Sequence, residues 1–318
     1  MTNTPSPLPR ISCVILCHNY GRYLDRAITS CLEQEPGHYT LHEILVIDDG
    51  STDDTPEVCR RHQDHVRVVR RPQRGFAHTL TDAVILAEGD WVAPLDADDW
   101  FHPAKLRTCA AAITPGRLLI DHWETVVGVD GLPLLPEPHP GGNTSTLLVR
   151  RDAARTLLPV TNEIHFHALR DAGHGHTLTE PLVNYRLHPA SMTDRTFNGA
   201  SQHYRADVCA DLAHRLIALA VAPPTWATAT TLRRIAHRYR ARSAGHRVEA
   251  HLQQGHRLHA VRPLTAMLYH SRRGHAPFSA WLRSLASVAR DRPLAPPPPT
   301  LATVPASTIP PLLNRSAT

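Results

Sequence analysis

Long apolar runs are what this 318-residue sequence most plainly lacks, and their absence argues against a membrane-spanning helix. The most apolar stretch of the C-terminal half, around Leu216 to Ala222, is stopped by Pro223–Pro224, well short of the roughly 20 residues a span needs. The opening MTNTPSPLPR has no apolar h-region, so no secretory signal is expected there. Cysteine is sparse, six in all, with no CxxC pair, and none of the 23 histidines joins a cysteine at zinc-finger spacing. Of Cys13, Cys17, Cys31, Cys59, Cys109 and Cys209, several fall in apolar patterns, where a free thiol behaves as a small hydrophobe. A reduced, cytoplasmic protein is the expectation, with peripheral contact at the inner face of the membrane left open.

Other absences narrow the chemistry. Aromatics are only 5% of the chain, and the arginine-rich stretch after Arg195 lacks the interleaved rings that stack on bases, so no nucleic-acid partner is expected. There is no G-x-S-x-G elbow, no Walker A loop and no G-x-G-x-x-G after the first apolar strand. His42–Glu43 begins a zincin-like string, but Val46 stands where the second histidine belongs.

What is present reads as an α/β protein. Ile11 to Leu16 is a continuous β-branched apolar run, as in a strand covered on both faces. Leu24, Ala27, Ile28, Cys31 and Leu32 recur at helical spacing before Pro36–Gly37. Glu43–Ile47, Val66–Val69 and Trp91–Leu95 predict further strands, separated by helices opening at Thr55 and spanning Leu80 to Ala87. Such alternation with short connections implies a mainly parallel sheet with right-handed crossovers. Leu118–Val129, Thr146–Val149 and Leu182–Leu187 add strand patterns, with a helix expected over Ile164–Ala172. Beyond Arg195 only helical patterns remain, at Tyr204–Leu219, Leu232–Leu252 and Phe278–Ala289, before a proline-rich tail from Pro293. The division expected is a leader (1–10), an α/β domain (11–195), a helical extension (196–292) and a disordered tail (293–318). The net charge of +5 gathers in the extension, which suits either an anionic surface or solvated helix faces.

Two aspartate clusters carry the most information. Asp48–Asp49–Gly50–Ser51 follows the second strand, and Asp96–Ala97–Asp98–Asp99 follows the fourth. Ligands of open parallel sheets bind beyond the carboxyl ends of the strands, so both clusters are expected to face one crevice. Crowded acids repel unless a cation stands between them. Mg²⁺ or Mn²⁺ on a diphosphate would meet that need, since both ions prefer oxygen ligands. Ser51, Asp53 and Asp54 read equally well as helix caps and turn formers; three acids in four residues at 96–99 exceed what a cap requires.

These segments resemble the family 2 glycosyltransferases, which share the GT-A fold. ISCVILCHN is similar to that family's first strand and turn. ILVIDDGSTDDT and GDWVAPLDADDWFHPAKL resemble its two aspartate motifs, and EPLVNYRLHPASMT its closing Y-R-x-H stretch. The resemblance runs from about Ile11 to Thr193. It implies a GT-A sheet flanked by helices and a transferase that moves a sugar from a nucleotide-diphosphate donor to an acceptor hydroxyl with inversion. The acceptor class, whether saccharide, lipid carrier, small molecule or peptide, stays open. By the same resemblance His18 and Asn19 would line the base pocket, and Asp48 and Asp49 would bind nucleobase or ribose. Asp96 would hold the ribose or a metal-bound water, Asp98 the Mg²⁺ or Mn²⁺ directly, and Asp99 would support the metal or the sugar. Arg186 and His188 would approach the diphosphate or brace the loop that covers it.

The sequence departs from the family pattern in two places. Where the family places an acidic pair bearing the general base, this chain reads Thr161–Asn162–Glu163–Ile164–His165. Asparagine cannot take a proton, so Glu163 is the candidate base, read alternatively as a first-turn acid favoured by the helix dipole; His165 and His167 are competitors. Leu80, Thr81 and Ala83 replace an Ala-Arg-Asn-type segment, leaving Arg74–Gly75 as a substitute phosphate contact. Two rival readings follow: a catalytically impaired nucleotide-sugar-binding protein, favoured by the altered base position, and a nucleotidyltransferase on a related fold. The latter needs a glycine-rich loop after the first strand, which CHNYGR does not supply. Contact of the extension with a membrane surface or a second copy stays open.

Overall fold

The computed structural model describes residues 7–188 and 199–275. The expected helix at Phe278–Ala289, the tail from Pro293, most of the leader and the end of the closing motif lie outside the described residues. The chain runs β1 (Arg10–Cys17), α1 (Gly21–Leu32), β2 (Thr40–Asp48), α2 (Thr55–Arg61), β3 (Arg67–Arg70), α3 (Phe76–Leu86) and β4 (Trp91–Asp96). It continues with β5 (Trp100–Phe101), α4 (Lys105–Ala111), β6 (Leu119–Val127), β7 (Leu147–Arg150), α5 (Arg151–Thr156), α6 (His167–Leu169) and β8 (Gly175–Arg186). Three longer helices follow: α7 (Gly199–Leu219), α8 (Ala229–Gln253) and α9 (Val261–Arg273).

All eight strands form one sheet in the order β3-β2-β1-β4-β7-β6-β8-β5. The first four neighbours, β3 through β4, are parallel, as strand–helix alternation dictates. β7 then lies antiparallel between β4 and β6, while β8 returns parallel to β6. The strand patterns alone did not disclose this switch of direction. A long Pro/Gly-rich loop, rather than a crossover helix, links β6 to β7 and lets the chain reverse.

The alternation within β1 fills both faces of the sheet. Cys13 and Ile15 join Leu24, Ile28 and Cys31 of α1 and Leu106 and Cys109 of α4 in one apolar cluster. Val14 and Leu16 face the opposite layer, with Leu80 and Val84 of α3, Ala153 of α5 and Phe166. All six cysteines are buried and unpaired. The expected helix over Ile164–Ala172 is broken. A 3-10 turn at Glu163–His165 leads into α6, and the segment Arg170–His174 widens where Gly173 takes a φ of 98°. That left-handed residue turns the chain into β8, which begins at Gly175 rather than near Leu182.

The extension is not merely appended. Cys209, Leu212 and Leu216 of α7 and Leu232, Ile235 and Tyr239 of α8 share one continuous apolar cluster with Leu147, Val149, Phe166 and the β1–α3 residues. Hydrophobic burial therefore couples the last helices to the sheet. Among the described residues no helix is long and apolar enough to cross a membrane. Leu212 is fully buried at this junction. Leu212→Ala is expected to cost about 2–5 kcal/mol in denaturant unfolding. The loss should shift a single transition for sheet and helices together; two separated transitions would show that the helices fold as an independent unit.

Candidate active site

β1 lies between β2 and β4, and the register sets Cys17 beside Asp48 and Leu16 beside Asp96. The two acid clusters thus leave the same edge of the sheet with one strand between them, about 10 Å for two inter-strand spacings.

The first cluster is bound up in turns. Buried Asp48 accepts a hydrogen bond from the Ser51 amide at 2.8 Å and pairs with Arg70 at 3.3 Å. Asp49 accepts from the backbone amides of Arg74 at 2.8 Å and Gly75 at 2.7 Å, fixing the entry to α3. Gly50 has a φ of 76°, and a Cβ there would lie 2.6 Å from the Gln73 amide nitrogen, so only glycine fits between the two turns. His18 donates from Nδ1 to the Asp49 carbonyl at 2.8 Å, while its Nε2 accepts from the side-chain amides of Gln73 and Asn19 at 3.1 and 3.2 Å. Asn19, exposed and left-handed with a φ of 58°, donates from its amide to Ser51 Oγ at 2.9 Å. Its Oδ1 accepts from the Thr52 amide at 2.8 Å. His18, Asn19 and Asp49 thus form one wall of the crevice, and Asp48 braces it from behind. Asp53, read as a turn former, accepts from the amides of Gly21 and Thr55.

The second cluster is denser in charge. Asp98 and Asp99 are buried, Asp96 half-buried. Asp99 accepts from Ser145 Oγ at 2.6 Å and from the Arg186 amide at 2.8 Å. Ser145 Oγ in turn accepts from the Asp96 amide at 3.0 Å. His188 Nε2 lies 3.0 Å from Asp98 Oδ2, with the rings of Tyr20 and Tyr23 packed against the imidazole at 5.5 and 5.4 Å. The Arg186 guanidinium donates to the carbonyls of Asp98 at 2.9 Å and Val129 at 2.7 Å and sits 4.5 Å from the Tyr23 ring. These contacts hold the loop after β4 against the end of β8.

Burial pushes the Asp96 carboxyl well above its ordinary range, and the charges of Asp98 and Glu163 push it further. Asp99 is raised in the same way, by burial first and then by Asp98 and Asp96. The Tyr20 hydroxyl is raised by burial and by the same two acids, Asp98 and Asp96. Three acids so placed form a field that a small divalent cation would relieve, and their carboxylate oxygens are the donors Mg²⁺ or Mn²⁺ prefers. Beneath them Lys105 is fully buried, donates to the Ser145 carbonyl at 2.7 Å and is held down to about 8 by burial.

Glu163 opens its 3-10 turn, where Asn162 caps the Ile164 amide at 3.1 Å. Its charge helps raise the Asp96 carboxyl. The competing histidines are committed elsewhere: His165 is buried between the Asn162 carbonyl at 3.0 Å and Asp211 at 3.1 Å, and burial drives His167 down to about 3. Leu80 and Ala83 are buried against the sheet, and Thr81 bonds to Val160, so α3 presents none of the three to the crevice.

The profile described as glycosyl transferase family 2 matches residues 12–149. Those residues carry both acid clusters and most of the sheet, so this part of the chain is similar to that family. An uncharacterized glycosyltransferase of Nostoc sp. is 29% identical over 216 residues, covering 57% of this chain and 66% of its own length. The chondroitin synthase of Escherichia coli is 31% identical over 105 residues, which are 32% of this chain and only 15% of that enzyme. The chain therefore spans less than two thirds of the length of either relative. Among solved structures, Staphylococcus aureus TarS in complex with UDP-GlcNAc aligns with a TM-score of 0.57 at 14% identity, over 89% of this chain and 92% of that one. That likeness establishes the GT-A fold, C-terminal helices included.

Around the acid clusters the sequence pattern gave little notice of Ser145, Lys105, Tyr20, Tyr23 and Gln73. Only Lys105 left a signal: it stands one turn from Cys109 and beside Leu106 on the buried side of α4. Because Asp96 is raised in the folded state, its contribution to stability is retained below the ordinary value of 3.8 and lost as pH rises through the folded value. Asp96→Asn is therefore expected to raise the melting midpoint by roughly 2–4 °C at neutral pH without divalent ions. The gain should vanish toward the ordinary carboxylate pKa of about 4, as read by thermal scans across pH. An equal gain at every pH would remove the repulsion from the account.

Proposed function

We propose that this protein transfers a sugar from a nucleotide-diphosphate donor to an acceptor hydroxyl with inversion at the anomeric carbon. The observation that carries this reading is the pair of acid clusters at two strand tips with one strand between them, Asp96 and Asp99 being raised by burial and by their own crowding. TarS, which shares the fold, was solved with UDP-GlcNAc, and a donor of that class suits a crevice with an amide-rich wall and an acidic wall.

The nucleoside would lie along His18, Asn19 and Asp49, with Asp48 holding their turn. Asp96 and Asp98 would hold Mg²⁺ or Mn²⁺, whose charge would offset that building on the leaving diphosphate. Asp99 fixes the metal-side loop through Ser145 and Arg186, and His188 orients Asp98. Glu163 would take the acceptor proton as the hydroxyl oxygen bonds to the anomeric carbon and the carbon–phosphate-oxygen bond breaks on the opposite side. The nucleoside diphosphate leaves with the electron pair.

We assign the segment 11–195 to donor binding and catalysis, and the segment 196–292 to the acceptor side of the crevice. α7 borders the Glu163 turn, where Thr161 and His165 both bond Asp211. The acceptor class is a saccharide, lipid carrier, small molecule or peptide, and the chain is placed in the cytoplasm.

Product formation from UDP-, GDP- and dTDP-sugars, with and without Mn²⁺, tests the activity. Glu163→Gln is expected to lower turnover about 10²–10⁴-fold while donor affinity, read by calorimetry, changes less than about threefold. Turnover that survives this substitution would assign the base to another residue. Donor hydrolysis indifferent to Asp98→Ala would remove the metal assignment.

A further inference from the structure

We propose a second metal site, outside the crevice, in which His251, His256 and His259 bind one zinc-class divalent ion. The ligand atoms these three histidines offer all lie within 4.8 Å of one another. No carboxylate belongs to the set, so its chemistry differs from that of the acid crevice. Neutral imidazoles suit Zn²⁺, Co²⁺, Ni²⁺ or Cu²⁺ and discriminate against Mg²⁺ and Mn²⁺.

The backbone brings the three together. α8 ends at Gln253, and Gly255, with a φ of 74°, reverses the chain so that the His256 amide bonds back to the His251 carbonyl at 2.8 Å. A 3-10 turn, Arg257–Ala260, follows, and the His259 amide bonds to the His256 carbonyl at 3.0 Å. Side chains three apart eclipse on such a turn, which sets His259 edge-on beside His256. Their ring centroids stand 5.4 Å apart, with His259 and His251 at 5.7 Å. Val248, Leu252 and Ala260 pack together beneath, so the turn is anchored to α8 before any ion arrives.

The side chains themselves point to an occupant. His251 Nδ1 is buried and has no hydrogen-bond partner, an arrangement that costs free energy unless a ligand engages the ring. His203 of α7 stands edge-on to His251 at 6.0 Å and closes one side. Arg247, whose charge reaches His251, is paired with Asp207 at 2.8 Å, which tempers its repulsion of a cation. Three protein ligands leave a fourth tetrahedral position for water. The ion would pin the end of α8 to the start of α9.

The test uses the full chain without an affinity tag. Zn²⁺ titration by calorimetry and Co²⁺ titration by visible absorption are compared with His256→Ala/His259→Ala and with Asp98→Asn. Both replaced histidines are exposed, and circular dichroism checks that the fold is kept. The expected result is one equivalent of Zn²⁺ fewer in the double variant, or at least about a tenfold loss of affinity, with that equivalent retained in Asp98→Asn. A wild-type chain that binds no Zn²⁺, or a double variant that binds as the wild type does, overturns the proposal.

Discussion

Crowding among the acids at the end of β4 is the constraint around which this end of the sheet is arranged. β1 is covered on both faces and lies between β2 and β4, so the two acid clusters leave the sheet with one strand between them. The protein answers this with hydrogen-bond donors fixed around the acids. Ser145, the Arg186 amide and His188 each satisfy one oxygen of Asp98 or Asp99. Lys105 lies one hydrogen bond further down, on the Ser145 carbonyl. Such a framework keeps the carboxylates oriented while leaving their charge largely uncompensated, which is the condition under which a divalent ion binds well.

The two walls of the crevice solve different problems. On the His18 side the carboxylates of Asp48 and Asp49 are satisfied by backbone amides, and His18 bonds to Asn19 and Gln73. On the Asp98 side the acids remain electrostatically in conflict.

Much of this was legible in the sequence because it rests on local signals. β1, β2 and β4 announce themselves as continuous apolar runs, and each acid cluster follows its strand directly. The need for glycine at position 50 was not legible, because it rests on the Gln73 amide. What escaped depends on distant pairings: Ser145 meets Asp99 across 46 residues, and Arg186 meets Asp98 across 88. The antiparallel β7 escaped because a four-residue apolar segment carries no sign of its direction. The helix expected after Glu163 broke because Gly173 takes a left-handed φ and the buried His165 bonds to Asp211, neither of which periodicity records. The helical extension was recognised as helical, but its shared core with the sheet follows from packing alone.

That shared core bears on how such enzymes diversify. Leu212, Leu216, Leu232 and Tyr239 interlock with Leu147, Val149 and Phe166, residues that lie just beyond or inside the crevice-forming segments. A chain built this way cannot trade its final helices for those of a cousin as a cassette, because the seam would have to be recut on both sides. A substitution on either side of that seam therefore alters the stability of sheet and helices together.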